Sequence, residues 1–559
     1  MTEERSMSGT VGGGRVLGYG ALAGLLLTIP LVAIFWLADA FLGTPFVPFD
    51  VLDWAARNMP GGLITFAIDT MVSIITALQL GETSTAAKAA EQLMGIAGMV
   101  ISGVVVGAVF YHLARRRSAK RLSFQAGLIP GLVLGLPVAL LSNDVNFSAL
   151  TAPLVNFLWI VVGFAAWGLA LATMYNRLLA SPEPVEEPAA EASVETLDRR
   201  SFLVRMGGAA ATITVVGAGV GSLLRESGGS ATTVRYASSS GGVLPNADAS
   251  VQPVDGTRPE LTPVEKHYRI DISSRPPVLE EETWTLPVTG MVDNPLDLTL
   301  ADLRSDFRPM DQYLTLSCIS NRIGGDLIGT QKWTGFSLQD LLTRAKVQEG
   351  AQYLRIFGGD GFHETVDIDL INEDQRIMLA YAWDDQPLPE RNGFPLRIYI
   401  PDRYGMKQPK WITGIEVVED YEQGYWVTRG WDEEALMQTT SVIDVVATDQ
   451  AFMSEGMTFI PVGGIAHAGD RSISKVEVRM DEGDWQEAQL RDPLSDKTWV
   501  LWRFDMPFSE GRHRIEVRSV DGEGEPQIES VRGTRPSGAT GVHGRNVDLV
   551  LEAEAGSEA

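Results

Sequence analysis

Four long apolar stretches constrain most strongly what the first 225 residues can fold into. They lie at 15–42, 93–113, 124–142 and 149–175. Each is long enough to cross the hydrocarbon core of a bilayer as a helix. From about residue 240 onward the composition is mixed, acidic and interrupted by Gly and Pro. The sequence therefore predicts an all-α transmembrane region at 1–180 and a water-soluble part after it.

A fifth apolar stretch, at 62–81, is a weaker candidate for a span. It carries Asp69 near its centre, and an ionisable group in the middle of a bilayer is costly. The loop at 112–124 is strongly basic and is predicted to be cytoplasmic, whereas 142–150 holds no Lys or Arg and is predicted to lie outside. A cytoplasmic N-terminus then requires that 62–81 does not cross. We expect this stretch to form an interfacial or re-entrant helix on the outer side.

Between the spans and the soluble part lie a linker and a segment that looks like an export signal. Residues 181–197 are rich in Pro, Glu and Ala, a composition that builds no core. Residues 198–225 form a Gly- and Ala-rich apolar run behind two arginines, as twin-arginine signals do. The residues that match are Arg199, Arg200, Phe202 and Leu203. The alternative is that the arginines mark the inner end of another anchor helix. Both interpretations put the chain outside the cytoplasm beyond a second linker at 226–259, and the first adds the twin-arginine export machinery as a partner.

Charge and two residue counts exclude several classes of site. The formal charge is -26, from 71 acidic and 45 basic residues, which argues against nucleic acid because phosphate binding needs clustered Lys and Arg. One cysteine in 559 residues excludes an intrachain disulfide and a Cys-rich zinc or iron–sulfur site. Of six histidines only His112 precedes residue 267, so no haem is expected between paired histidines in the membrane part. The expected contacts of that part are lipid and a redox partner, a cytochrome or a quinone.

Two patterns divide the soluble part. Between 260 and 425 short alternating segments are mixed with short helical ones, which predicts an α+β domain. The predicted strands are 283–292, 313–319, 353–359 and 394–401, and the predicted helices are 298–307 and 336–345. From 440 to 553 strands follow one another at short intervals with turn residues between them. That pattern predicts a β-sandwich of immunoglobulin type.

The motifs around the only cysteine carry a resemblance to a known family. The stretch "LSCISNRIGGDLIGTQKWTGFSLQDLL" at 316–342 is followed by "NGFPLRIYIPDRYGMKQPKWITGIEVVE" at 392–419. Both resemble the molybdopterin-binding domain of the sulfite oxidase family. The stretch at 463–490 is similar to that family's C-terminal domain. The resemblance covers about 260–553 and implies an α+β sulfite-oxidase-type molybdopterin domain, then an immunoglobulin-like β-sandwich, both behind the all-α transmembrane region.

The resemblance implies a role for Cys318. It would be the single protein thiolate on a molybdenum that is otherwise held by one pyranopterin dithiolene and oxo groups. A soft thiolate suits such a metal, and ligation keeps the thiol deprotonated. Without the surrounding motifs, a lone cysteine at the end of a strand is more often an inert small hydrophobe.

The resemblance also implies a set of cofactor-binding residues. They are Tyr268, Arg269, Cys318, Asn321, Asn392, Arg397, Gln408 and Lys410, with Cys318 and Arg269 as the catalytic pair. Arg397 can offer a planar fork and Lys410 a point charge to phosphate or pterin oxygens. Asn392 stands where sulfite oxidases usually have histidine, a departure shared with protein-methionine-sulfoxide reductases of the family. Asp360 is a weak further candidate, and His363 is expected at the surface.

The expected function is therefore that of a multi-pass membrane protein with an extracytoplasmic molybdenum oxidoreductase. It would transfer an oxygen atom in a two-electron reaction with a small sulfur oxyanion or a sulfoxide. One alternative is an S- or N-oxide reductase, including one for protein methionine sulfoxide, fed by quinol. Another is a surface protein without catalytic activity that binds a partner through its immunoglobulin-like domain. The substrate, the redox partner and a homodimer built on the sandwich stay open.

Overall fold

The computed structural model describes residues 13–78, 81–117, 121–146, 148–179 and 243–550, and some residues between 204 and 214. By its contacts the chain forms two compact units. We call the first the helical unit; it comprises residues 1–59, 88–231 and 272–278. We call the second the sheet unit; it comprises residues 60–87, 232–271 and 279–559.

Within the described residues, six helices precede residue 179. They are α1 (Gly13–Leu42), α2 (Val47–Asn58), α3 (Gly61–Ala77), α4 (Thr83–Arg117), α5 (Phe124–Val145) and α6 (Pro153–Leu178). Four of them, α1, α4, α5 and α6, are long and apolar enough to cross a membrane. These four correspond to the four spans predicted from the sequence, which confirms the predicted helices. The twin-arginine-like motif and the 181–197 linker lie outside the described residues.

Glycines bring the long helices of the helical unit into direct backbone contact. A side chain at Gly20 would meet Gly107 O at 2.4 Å, and one at Gly24 would meet Gly103 O at 2.1 Å. Small residues allow this close approach in membrane helices. The pairing of 20 with 107 and of 24 with 103 means that α1 and α4 run antiparallel. That arrangement gives α3, which lies between them in the sequence, no need to cross the bilayer, and its interfacial position stays a prediction.

The first half of the sheet unit contains two five-stranded sheets. The first has the order β2-β1-β10-β5-β6 and is mixed, because β1 and β10 pair in parallel. The second has the order β3-β4-β7-β8, with β9 paired to β7, and is antiparallel. The strands are β1 (Thr285–Gly290), β2 (Leu296–Thr299), β3 (Met310–Ser317), β4 (Ile328–Ser337), β5 (Tyr353–Gly358), β6 (His363–Asp367), β7 (Met378–Trp383), β8 (Gln386–Pro387), β9 (Arg397–Tyr399) and β10 (Ile412–Val418). The helices among them are α7 (Leu300–Asp306), α8 (Leu338–Ala345) and α9 (Ile368–Glu373). Each strand and helix predicted here from the sequence is present, with shifted ends.

The second half of the sheet unit is built from two further antiparallel sheets. Their orders are β11-β13-β17-β16, with β12 on β13, and β15-β14-β18-β19. The strands are β11 (Thr440–Val446), β12 (Phe452–Ser454), β13 (Met457–His467), β14 (Ile473–Met480), β15 (Gln486–Glu487), β16 (Gln489–Leu490), β17 (Val500–Pro507), β18 (Gly511–Asp521) and β19 (His543–Leu549). Side chains from both sheets share one core, among them Val462, Val476, Trp502 and Val517. A two-sheet sandwich is thus present, and its immunoglobulin type stays a prediction.

Residues 243–259, the described part of the second predicted linker, pack against the sandwich. Val254 is 2% exposed and would touch any side chain placed at Gly463. Arg491 donates hydrogen bonds to Val251 O at 2.8 Å and to Glu260 at 2.7 Å. This stretch therefore adds to the packed surface of the sheet unit.

Candidate functional site

Cys318 begins the loop that joins β3 to β4. Its N–H donates to Leu327 O at 2.9 Å, and its carbonyl accepts from Asn321 N at 3.0 Å. Asn321 Oδ1 in turn accepts from Leu327 N at 3.0 Å. The strand therefore ends at Ser317 and a tight loop presents the thiol, which agrees with the prediction that the cysteine lies at a strand end. Asn321, predicted to bind a cofactor, closes this loop with its side-chain oxygen.

The thiol is enclosed. Cys318 is 7% exposed and packs in one cluster with Tyr268, Leu316 and Trp333. Burial raises the pKa of Cys318, while the hydrogen bond with Ser320, Sγ to Oγ 3.0 Å, and the positive charge of Lys410 oppose the shift. A buried thiol of raised pKa is a poor nucleophile in water but a good ligand for a metal that displaces its proton.

A buried guanidinium lies in the same region and has no carboxylate partner within the described residues. Arg397 is 3% exposed, and its guanidinium carbon lies 4.7 Å from the ring centre of Trp333 and 5.1 Å from that of Trp383. Its Nη1 donates to Asn392 O at 2.9 Å, while Nε has no hydrogen-bond partner and no ion pair to this side chain occurs within the described residues. Burial lowers the pKa of Arg397 to about 10. A desolvated cation of this kind favours an anionic partner.

His267 is a polar side chain of this site that the sequence analysis did not single out. Its ring lies 4.6 Å from the ring of Trp383, and Nδ1 is 3.2 Å from Tyr268 O. Nε2 is buried and has no hydrogen-bond partner in the described part of the chain. Burial, together with the charge of Arg397, lowers the pKa of His267 to about 3. The imidazole is therefore neutral at pH 7 and has one unused polar atom. The only signal in the sequence is its position directly before Tyr268 and Arg269.

Lys410 and Asp271 form a second charged group of the site. Lys410 Nζ donates to Ile270 O at 3.1 Å and lies 3.3 Å from Asp271 Oδ2. The same carboxylate accepts from Arg269 Nε at 2.6 Å. Burial lowers the pKa of Lys410 to about 8, against the attraction of Asp271. Arg269, predicted as catalytic, is thus held by Asp271 beside Lys410.

The remaining predicted residues differ in what their side chains do. Gln408 is buried and donates through Nε2 to Ile400 O at 3.2 Å and Arg403 O at 2.7 Å; its Oε1 has no partner within the described residues. Asp360 accepts from Phe362 N at 3.0 Å and shapes a turn. His363 is half-buried on β6. Of these three, only Gln408 Oε1 offers an unused buried polar atom.

A pocket lies beside the loop that follows Cys318. Its described lining includes two arginines, Arg258 and Arg322, the loop residues Ser317 and Asn321, and His467 of the sandwich. His467 is 3% exposed, and neither ring nitrogen has a hydrogen bond of ordinary geometry in the described part of the chain. Burial, together with the Arg471 charge, lowers the pKa of His467 to about 3. No Asp or Glu is among the described lining residues, so the pocket suits an anion. The sequence analysis missed His467.

Comparison with known proteins agrees with this geometry. Residues 273–426 match the family model "Oxidoreductase molybdopterin binding domain". The chain is 25% identical to a sulfite oxidase of Arabidopsis thaliana over 328 residues, which is 48% of this chain and 83% of the relative. It is 24% identical over 309 residues, or 43% of this chain, to an NADPH nitrate reductase of Fusarium oxysporum. The match spans about a third, 34%, of that nitrate reductase.

One solved structure is also similar. It is the sulfane dehydrogenase SoxCD of Paracoccus pantotrophus, with 19% identity and a TM-score of 0.46 over 57% of this chain and 89% of that chain.

The residues present fit a molybdopterin. The cofactor carries a phosphate, and Arg397 is a buried guanidinium with an unused Nε and no carboxylate partner within the described residues. His267 Nε2 and Gln408 Oε1 are further buried polar atoms without partners in that part of the chain, and a polar pterin ring can satisfy such atoms. The enclosed thiol of Cys318 supplies a soft ligand. With the family match at 273–426, these features support a molybdopterin-binding domain in this part of the chain, similar to that of sulfite oxidases and nitrate reductases.

Proposed function

We propose that this protein is a membrane-anchored, extracytoplasmic molybdenum oxidoreductase that transfers an oxygen atom to a small sulfur oxyanion. The observation that carries the proposal is the buried guanidinium of Arg397, which has no carboxylate partner in the part of the chain that the structure describes. An unsatisfied cation in a core is costly unless an anion binds there. When bound, the cofactor supplies the two-electron oxygen-atom transfer.

The chain's own residues hold and orient that cofactor. Cys318 supplies the thiolate, while Arg397 and Lys410 supply positive charge for the phosphate. His267, as a neutral imidazole, offers Nε2 to the pterin edge. If Nδ1 donates to Tyr268 O, then Nε2 is an acceptor. The aromatic wall of Trp333 and Trp383 excludes water from the guanidinium and strengthens its attraction for an anion.

The pocket next to the Cys318 loop, whose described lining holds no Asp or Glu, supports an oxyanion as substrate. Arg322 offers a charged donor, and the neutral ring of His467 offers a polar nitrogen. Arg258 adds positive charge that it shares with Asp444, Nε to Oδ1 3.1 Å. Oxidation of sulfite would take one oxygen atom from water and release two electrons and two protons. The electrons would pass to a separate cytochrome or quinone. The similarity to nitrate reductases favours a second candidate, reduction of an oxyanion or an N-oxide.

The helical unit supports an extracytoplasmic site. Residues 272–278 contact Asp39 near the end of α1 and Lys88 near the start of α4. The basic loop at 112–124 begins at the opposite end of α4. Since basic loops stay in the cytoplasm, residues 272–278 would lie on the outer side. An export signal of twin-arginine type at 198–225 would suit a domain that takes up its cofactor before crossing.

Metal and pterin content of the full chain, purified in detergent, tests the cofactor. We expect close to one molybdenum and one pterin per chain, followed by dye-linked oxidation of sulfite. Nitrate and methionine sulfoxide are the matched reductive substrates. A folded protein without molybdenum or pterin would overturn the proposal, and turnover of methionine sulfoxide alone would overturn the oxyanion assignment.

Arg322→Gln is expected to lower kcat/KM for sulfite about 10–100-fold, because a hydrogen bond from a charged donor contributes about 1.5–3 kcal/mol. The loss should appear mainly in KM, since the pocket binds the anion before chemistry. Steady-state kinetics with a dye acceptor measure it. Arg308→Gln is the matched control, because Arg308 is exposed and does not line the pocket. Equal KM values for the two variants would contradict the assignment of this pocket to the substrate.

Lys410 should give anion binding a pH dependence. Its pKa in the folded protein is about 8, below the ordinary 10.5, so the native protein loses this positive charge as pH rises through 8. We expect the affinity of the cofactor-free protein for inorganic phosphate to fall between about pH 7 and pH 9. Isothermal titration at several pH values measures it. Lys410→Arg keeps the charge and should remove the decline.

The free energy of unfolding of the cofactor-free protein should rise with pH, whereas its affinity for phosphate falls. Between pH 8 and 10.5 the unfolded chain binds a proton at Lys410 that the native chain does not. This group therefore makes the free energy of unfolding rise with pH in that window. The assignment of the titration to Lys410 would be wrong if the parent and Lys410→Arg showed the same phosphate affinity at every pH.

A further inference from the structure

The segment that precedes β1 and carries Tyr268 and Arg269 belongs partly to the sheet unit and partly to the helical unit. From 267 to 284 the chain forms no helix or strand. Residues 267–271 belong to the sheet unit, 272–278 to the helical unit, and the chain returns to the sheet unit at Leu279. We call residues 272–278 the strap. Since no ladder of backbone hydrogen bonds fixes this segment, its position is set by the contacts at each end.

Two buried carboxylates of the helical unit hold the strap. Asp53 of α2 accepts from Ser274 N at 3.0 Å and from Ser274 Oγ at 2.5 Å. Asp39 of α1 accepts from Arg275 Nη1, with both carboxylate oxygens at 2.8 Å. Asp53 is 8% exposed and Ser274 is fully buried. Charge-assisted hydrogen bonds in such surroundings are strong and directional.

The strap carbonyls are also bound. Lys88 Nζ donates to Ser273 O at 2.9 Å, and Gln92 Nε2 donates to Ser274 O at 3.2 Å, both from α4. Ser274 therefore uses its N–H, its hydroxyl and its carbonyl within the helical unit. Connecting loops usually lie exposed and mobile on the surface, whereas the strap is held by these hydrogen bonds from three helices.

The residues directly before the strap hold the charged group of the cofactor site. Asp271 binds Lys410 and Arg269, and Ile270 O accepts from Lys410 Nζ. Tyr268 packs with Cys318. Only two residues separate Asp271 from Ser274, and successive Cα atoms are about 3.8 Å apart. Movement of Ser274 is therefore passed along the chain to Asp271 and Lys410.

We propose that Asp53 and Ser274 are positioning residues for the molybdopterin site, so that the helical unit fixes the cofactor-binding segment as well as anchoring the protein. The inference rests on the proposed function. Release of Ser274 would let residues 268–271 move, which loosens Lys410 and the packing of Tyr268 on Cys318. The membrane helices thereby become part of what keeps the cofactor bound.

Two matched serine variants test the proposal in the full-length protein. Ser274→Ala removes the hydroxyl that donates to Asp53 at 2.5 Å. Ser142→Ala removes a hydroxyl that donates at the same distance to Asp50, a buried carboxylate of the same helix. Asp50 accepts no hydrogen bond from the strap within the described residues and acts on Arg275 only through its charge, which this variant keeps. Both serines are fully buried. Asp53→Asn adds a second variant at the strap that keeps the size of the side chain.

Amide hydrogen exchange of the peptide covering 267–271 is the first measurement. We expect at least about threefold faster exchange in Ser274→Ala and Asp53→Asn than in the parent, because local opening follows the loss of buried hydrogen bonds. Ser142→Ala should match the parent. Unchanged exchange in both strap variants would overturn the proposal. This readout needs no bound cofactor, so it decides the inference even if the parent lacks molybdenum, which would refute only the proposed function.

The rate of pterin and molybdenum release, with the absorption of the thiolate–metal bond, is the second measurement. We expect release to be at least about tenfold faster in the strap variants, which is the size of effect that changing an outer partner of a metal ligand typically has on metal affinity. We also expect the absorption band of the thiolate–metal bond to shift. Ser142→Ala should keep the parent rate and band. Parent-like release and absorption in both strap variants would show that the strap only anchors the chain and would overturn the positioning role.

Discussion

Cys318→Ala is expected to abolish oxygen-atom transfer while leaving a folded protein. The thiolate is the one protein ligand proposed for the metal, so the loss should exceed the roughly 10–100-fold cost of changing an outer partner of a metal ligand. Folding should survive because alanine removes a single buried sulfur from a cluster of large side chains. Molybdenum per chain, thiolate–metal absorption and dye-linked turnover are measured on the same preparation.

Ser320→Ala is the matched control for this prediction. Its hydroxyl lies 3.0 Å from Cys318 Sγ, so the variant alters the surroundings of the thiol and leaves the ligand in place. We expect it to keep the metal and most of the activity, with a shifted absorption band. Cys318→Ala with turnover within tenfold of the parent would contradict the assignment of the thiol as metal ligand.

Local pattern was enough to predict most elements near the site. The apolar alternation that ends at Ser317 predicted β3, and the Thr299 to Asp302 capping box sits at the start of a helix predicted from 298–307. The four apolar stretches gave the four long helices for the same reason, since length and composition suffice there. The motifs around Cys318 and Arg397 could be recognised in the sequence because each lies within a short continuous stretch.

Features that depend on distant residues could not be predicted. In the sequence Arg397 is an ordinary basic residue, and only the fold shows that Trp333 and Trp383 enclose it and that no described carboxylate pairs with it. His467 is 149 positions beyond Cys318, yet it lines a pocket with Ser317. The hydrogen bond from Ser274 N to Asp53 joins residues that are 221 positions apart. Periodicity carries no information about such pairs, because it reports only which face of an element is buried.

Arg397→Met is expected to separate cofactor binding from stability. The guanidinium has no carboxylate partner among the described residues, and burial lowers its pKa to about 10, so the charge costs free energy in the cofactor-free protein. Replacing buried ionic groups by apolar ones of similar volume is often neutral or stabilising by about 1–4 kcal/mol. We therefore expect the free energy of unfolding of the cofactor-free variant to equal or exceed that of the parent.

Cofactor retention should change in the opposite direction. Loss of a desolvated charge from a binding site costs about 2–5 kcal/mol, which is roughly 30- to 4,000-fold in affinity. Pterin fluorescence and molybdenum content after gel filtration measure the retention, and chemical denaturation of the cofactor-free protein measures the stability.

Arg491→Met is the control, for which we expect the opposite result: a less stable protein that keeps its cofactor. Arg491 is also buried, at 9% exposed, but it pairs with Glu260 at 2.7 Å. Its loss leaves that carboxylate without its charged donor and should lower the free energy of unfolding by about 1–3 kcal/mol, while the cofactor stays bound. If Arg397→Met instead destabilised the cofactor-free protein as much as Arg491→Met and kept its pterin, the buried guanidinium would be a structural group, and the phosphate of the cofactor would have to be held elsewhere.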